Sequence, residues 1–126
     1  MPHFDVRIRE EALDGSVEPK LIRGLAEAVA SVYGERFFEL AAVEIFGIPD
    51  GRWGVGGAPS RDSAPVITLR LREAAFAPEH ADKPARLIAA VTDAAVAALG
   101  EEIRKRVTVI LVPVPPGRSG VGGEVV

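Results

Sequence analysis

The sequence predicts an α+β fold: a tandem β-α-β repeat forming a four-stranded sheet with both helices on one face. Two observations carry this. First, the chain is written twice: Gly51-Arg52-Trp53-Gly54-Val55-Gly56-Gly57 returns 66 residues later as Gly117-Arg118-Ser119-Gly120-Val121-Gly122-Gly123, identical at six of seven positions. At the same offset Leu21-Ile22 meets Leu87-Ile88, Gly34-Glu35 meets Gly100-Glu101, and Val43 meets Val109. At an offset of 63, Pro2, Arg7, Arg9 and Glu10 meet Pro65, Arg70, Arg72 and Glu73, so three residues are inserted before the second helix. Second, each half switches from a period-two to a helical apolar pattern and back. The halves, 2–60 and 65–126, share one design and form one domain over residues 1–126.

Phe4–Arg9 alternates, with Phe4, Val6 and Ile8 opposite Asp5, Arg7 and Arg9. Ser16 is the expected N-cap of a helix over 17–33, with Pro19 in its first turn and Gly34 as its stop. Leu21, Leu25, Ala28, Val29 and Val32 make its apolar stripe. Ala41–Phe46 is the second strand, rich in apolar residues, and a Gly-rich turn follows. In the second half, Val66–Arg72 alternates in the same way. Asp82, Pro84 and Gly100 then bound a helix over 83–99, and Arg106–Pro113 is the last strand. A β-α-β unit implies a right-handed crossover between parallel strands, and a pseudo-twofold joins the two units. The Gly-Val-Gly-Gly turns read as short hairpins that reach a neighbouring chain.

Composition narrows the function. Of the 126 residues, 48% are hydrophobic and 26% charged, which excludes a disordered chain. A net charge of −3 gives no basis for nucleic-acid binding. The chain has no cysteine and two histidines, which leaves no thiolate site and argues against a resident metal. With no long apolar run and no signal-peptide pattern, the expectation is a cytoplasmic, cofactor-free protein with no membrane partner. The second sheet face carries Asp5, Arg7, Arg9, Thr68, Arg70 and Arg72. It is read as partly covered by other copies, most simply in a homotrimer closed around a threefold.

Pro2 is the candidate catalytic residue. Once Met1 is removed, its ring nitrogen is a secondary amine that takes or delivers a proton or attacks a carbonyl. Cations and an apolar pocket favour its neutral form. Antiparallel pairing of the two first strands brings Pro2 to Arg72 and Pro65 to Arg9. Arg70 and Arg72 share a face and suit one carboxylate. Only the Pro2 end has an amine to use. His3 is read as incidental and Tyr33 as packing.

Met-Pro at the start, the β-α-β unit and Trp53-Gly54-Val55-Gly56-Gly57 resemble the tautomerase superfamily, most closely two fused copies of 4-oxalocrotonate tautomerase. Leu21-Ile22-Arg23 is similar to that enzyme's helix. The resemblance implies Pro2 as general base on a small carboxylate-bearing substrate, a 2-hydroxydienoate or 2-oxo acid, and a trimeric assembly. It further implies Arg70, Arg72 and Arg9 as substrate-binding arginines and Trp53 as an apolar wall. Relatives of fused length include cis-3-chloroacrylic acid dehalogenase and malonate semialdehyde decarboxylase. They imply an alternative with protonated Pro2 as acid and with Glu44 or Glu124 handling water. The pattern departs from the family where its arginines meet Ala12 or Leu13, Ala42 and Thr108, and at Ser119 in the second turn. The remaining alternative is a non-catalytic ferredoxin-like binding or assembly module.

Overall fold

The alternating residues His3–Arg9 form β1, the first strand in a computed structural model that describes residues 2–126. Helix α1 spans Val17–Tyr33, and a short helix α2, Arg36–Leu40, leads into β2, Ala42–Ile48. A hairpin of β3, Gly54–Val55, and β4, Ala58–Pro59, closes the first repeat. The second repeat runs through β5, Val66–Arg72, α3, Lys83–Leu99, and β6, Thr108–Val114. It ends in a hairpin of β7, Gly120–Val121, and β8, Glu124–Val125.

Both helices occupy the residues expected. Gly34 and Gly100 end them at φ 120° and 108°, where only glycine sits without strain. The caps differ from expectation. The Ser16 hydroxyl donates to Asp14, whose carboxylate also accepts the Ser16 and Val17 N–H groups, so Asp14 caps α1. Asp82 is turned to Arg86 at 3.0 Å instead. The second strands also start later than expected. Residues Glu101–Arg106 form a 3-10 turn that buries Ile103, so β6 begins at Thr108 rather than Arg106.

The sheet order is β2-β1-β5-β6. Strands β1 and β2 run parallel from His3↔Ala42 to Arg9↔Ile48, and β5 and β6 from Val66↔Thr108 to Arg72↔Val114. The two repeats meet antiparallel, from His3↔Arg70 to Arg7↔Val66. One sheet face buries Phe4, Val6, Ile67, Leu69 and Leu71 against Leu21, Leu25 and Val29 of α1 and Leu87, Val91 and Ala95 of α3. Burying each of the Phe, Leu, Ile and Val side chains in this layer contributes about 1.5–3 kcal/mol. Helices α1 and α3 approach closely at Gly24, where an added Cβ would lie 3.3 Å from that of Ala94.

The other face holds a polar ladder. His3 Nε2 lies 2.6 Å from Glu44 Oε1, Arg70 bonds Asp5 at 2.6 Å, and Arg7 lies over the Phe46 ring at 5.2 Å. Phe46 and Ile110 are exposed there. No helix among the described residues is long and apolar enough to cross a membrane.

Candidate active site

Pro2 enters the fold as the residue before β1. Its carbonyl accepts the Ala42 N–H at 2.9 Å, and the ring is buried. The ring forms one wall of a cleft of about 620 Å³. Val29 and Tyr33 of α1, Arg36, Phe37 and Leu40 of α2, and Leu71 and Arg72 at the end of β5 line this cleft. His80, Lys83 and Val121 of the second hairpin complete much of the rest. Antiparallel β1–β5 pairing makes this juxtaposition, because it sets the start of β1 beside the end of β5.

The charged lining has one sign. Arg36, Arg72 and Lys83 face the cleft, and among the described residues no Asp or Glu does. Arg36 lies over the Phe37 ring at 4.8 Å and Lys83 Nζ over the Tyr33 ring at 5.1 Å, so both cations are held against aromatic faces. The Tyr33 hydroxyl donates to the Ala75 carbonyl at 2.8 Å. Burial, and then the charge of Asp82, push the Tyr33 pKa up, so the phenol stays protonated. Tyr33 therefore packs, as expected, and is also a wall of the cleft.

The expected site residues divide. Pro2 and Arg72 come together. Arg70 does not join them: in mid-strand it lies on the open sheet face, tied to Asp5. Arg9 is a correction. Expected on the open face as a substrate ligand, it is 1% exposed and held by two carboxylates. Its Nη2 bonds Asp50 at 2.8 Å, and Nη1 lies 2.6 Å from Glu11 without hydrogen-bond alignment. Trp53 follows Asp50 by three residues, its carbonyl accepts the Ser60 N–H, and it does not line the cleft of its own chain. Glu44 is engaged by His3 on the opposite face, and Glu124 lies in the exposed β8. The expected loss of Met1 lies outside the described residues.

Sequence reasoning missed Arg36, His80 and Lys83. The signal for His80 was the three-residue insertion that carries it. Arg36 had none, because a five-residue helix leaves little periodicity. On the open face His3, Asp5 and Glu44 bring donor atoms within 4.8 Å of one another, as a divalent cation would need. Arg70 already neutralises Asp5 there.

Residues 65–126, the second repeat, match the family of tautomerase enzymes. By this match the second repeat belongs to the tautomerase family. The whole chain shares the fold of fused 4-OT proteins. The asymmetric trimer of the fused 4-OT called F6 superposes with a TM-score of 0.82 at 22% identity, over 98% of this chain and 94% of that one. Pt0534 inactivated by 2-oxo-3-pentynoate gives 0.79 at 18%, over 98% and 94%. N1, of the cis-3-chloroacrylic acid dehalogenase family, gives 0.80 at 14%, over 98% and 82%. No curated protein matches this chain in sequence.

Proposed function

We propose that the chain is a cofactor-independent tautomerase, a keto–enol isomerase of 2-oxo or 2-hydroxydienoate acids, with Pro2 as general base. The observation that carries this is the cleft itself, where a buried proline stands among charged side chains that are all cationic. With Met1 removed, Pro2 begins the chain as a secondary amine. An ordinary α-amino group titrates near 7.7–8.0, and three neighbouring cations and an apolar wall shift such a group toward its neutral form. Arg72 and Lys83 bind the substrate carboxylate. The Pro2 nitrogen then takes the proton from the enol oxygen or from C3, leaving a dienolate. The same proton returns at the other position, so the product is an isomer and Pro2 is regenerated. The cations stabilise the dienolate as its charge develops.

Hydrolytic dehalogenation or decarboxylation with protonated Pro2 needs a carboxylate to activate water. Among the described residues the cleft lining offers no Asp or Glu side chain for this, which favours the base role. Fused 4-OT neighbours are trimers. The exposed Phe46 and Ile110 on the open face support the same assembly here. In that assembly Trp53 and Arg70 are available to a second copy.

The test is intact mass and peptide mapping after brief exposure to 2-oxo-3-pentynoate, the reagent that inactivates the structural neighbour Pt0534. Loss of Met1 and a single adduct on Pro2 are expected. A retained Met1, or adducts confined to Lys20, Lys83 or Lys105, would overturn the assignment and favour a binding module. A rate that rises with pH through the amine's titration supports the base, and a falling rate the acid.

A further inference from the structure

The two repeats differ in length between their first strand and first long helix. The loop from β5 to α3 is three residues longer than the loop from β1 to α1. In the first repeat the loop folds inward, and Leu13 packs on the core and crowds Gly47, where an added Cβ would lie 3.2 Å from Leu13 Cδ1. In the second repeat the loop makes an extra turn over Pro78–His80, closed by the His80 N–H donating to Ala77 at 2.8 Å. This turn carries His80 into the Pro2 cleft.

The imidazole is set there by packing. It meets the Tyr33 ring edge-on, with centroids 6.1 Å apart and planes at 64°. Its Nδ1 is shut from solvent and has no hydrogen-bond partner. A buried polar atom left unpaired costs stability, and such an atom in a native fold calls for a reason. With Nδ1 walled off, Nε2 is the nitrogen left to meet a ligand. Of the two aromatic side chains in the lining that carry a polar group, Tyr33 has its hydroxyl committed to Ala75. The cations are matched to a carboxylate, so the substrate's other oxygen falls to His80.

We infer that His80 is a specificity residue of the cleft, with Nε2 hydrogen-bonded to the 2-oxygen of a 2-oxo acid whose carboxylate Arg72 and Lys83 hold. This rests on the reading of the cleft as a 2-oxo-acid site. A bond to that oxygen strengthens as it gains charge in the dienolate, so His80 acts on kcat as well as on binding.

Binding is measured by calorimetry in the Pro2→Ala background, which removes turnover, with phenylpyruvate and with 3-phenylpropionate, which lacks the 2-oxygen. His80→Ala is expected to weaken phenylpyruvate about tenfold and to leave 3-phenylpropionate within about twofold. His80→Gln, which keeps a donor, is expected to recover part of the loss. Equal losses for both acids, no loss for either, or no binding of either acid overturns the inference. Alkylation of Pro2 in the wild-type chain is read separately. Labelled Pro2 without discrimination at His80 leaves the tautomerase reading standing and removes His80. Discrimination without labelling keeps His80 and removes the proline chemistry.

Discussion

Pro2 and Pro65 hold equivalent places in the two repeats, yet one stands in a cleft and the other in a sealed end. Their backbones are used alike: Pro2 accepts the Ala42 N–H at 2.9 Å, and Pro65 accepts the Thr108 N–H at 3.1 Å. The arginines beside them part company. Arg72 is exposed and lines the cleft, whereas Arg9 is buried between Glu11 and Asp50. The repeat alignment shows why. Glu11 corresponds to Ala74 and Asp50 to Pro116, so both carboxylates that hold Arg9 are missing around Arg72. Phe37, a wall of the cleft, corresponds to Ile103, which is buried in the core. Counted back from the helix starts, Asp14, the cap of α1, corresponds to His80. One scaffold thus leaves the same arginine buried between carboxylates or open to a cleft according to whether carboxylates lie within reach.

Six substitutions break or sharpen this contrast. The largest effect belongs to the prolines. Pro2→Ala is expected to lower turnover of a 2-oxo acid about 10²–10⁴-fold, as for loss of a general base, while Pro65→Ala leaves initial rates unchanged. Equal losses from the two would end the assignment of chemistry to one end. Arg72→Ala is expected to cost about 10²-fold in kcat/KM with little change in the unfolding midpoint. Supplying the missing partner, with Ala74→Glu, should quench Arg72 and raise KM by about tenfold. Unaltered kinetics in that variant would mean that Arg72 does not hold substrate. At the sealed end, Arg9→Met is expected to leave kcat in place and lower stability by about 1–3 kcal/mol in urea unfolding. The smallest effect is on acid stability. The Ser16 hydroxyl, and then the Ser16 and Val17 N–H groups, hold the Asp14 carboxyl below its ordinary range. A depressed carboxyl stabilises the fold above the unfolded value, near 4, and this contribution is lost as pH falls through the lower folded value. Asp14→Asn should flatten that acid limb, which thermal melts between pH 5 and about 2 would show.

Much of the fold is legible because local and global signals agree. The stripe from Leu21 to Val32 and the helix bounded by Asp82, Pro84 and Gly100 end at glycines that adopt positive φ, so both long helices have their expected bounds. The repeat itself implied the sheet order. The site was legible only in part. Strand pairing alone brings Pro2 to Arg72, and this held. Alternation placed Arg9 on the open face, but it says nothing of loops, and Glu11 and Asp50 reach Arg9 from two of them. Arg70 is claimed by Asp5 across the β1–β5 pair, a side-chain competition that parity does not register. Helix α2 forms because Phe37 packs against the core formed by both repeats, so its cause lies outside its own five residues.

The segment 60–65, with no regular structure of its own before β5, is the covalent link between the repeats. Pro2 lies on one side of it and Arg72, His80 and Lys83 on the other. Neither half owns a complete cleft, which exists only where β1 has found β5. A chain cut at this link into two polypeptides would be inert as separate fragments and active as a reassembled pair. Turnover in the mixture would then count docked half-chains, making fragment complementation a direct assay of the central strand pairing.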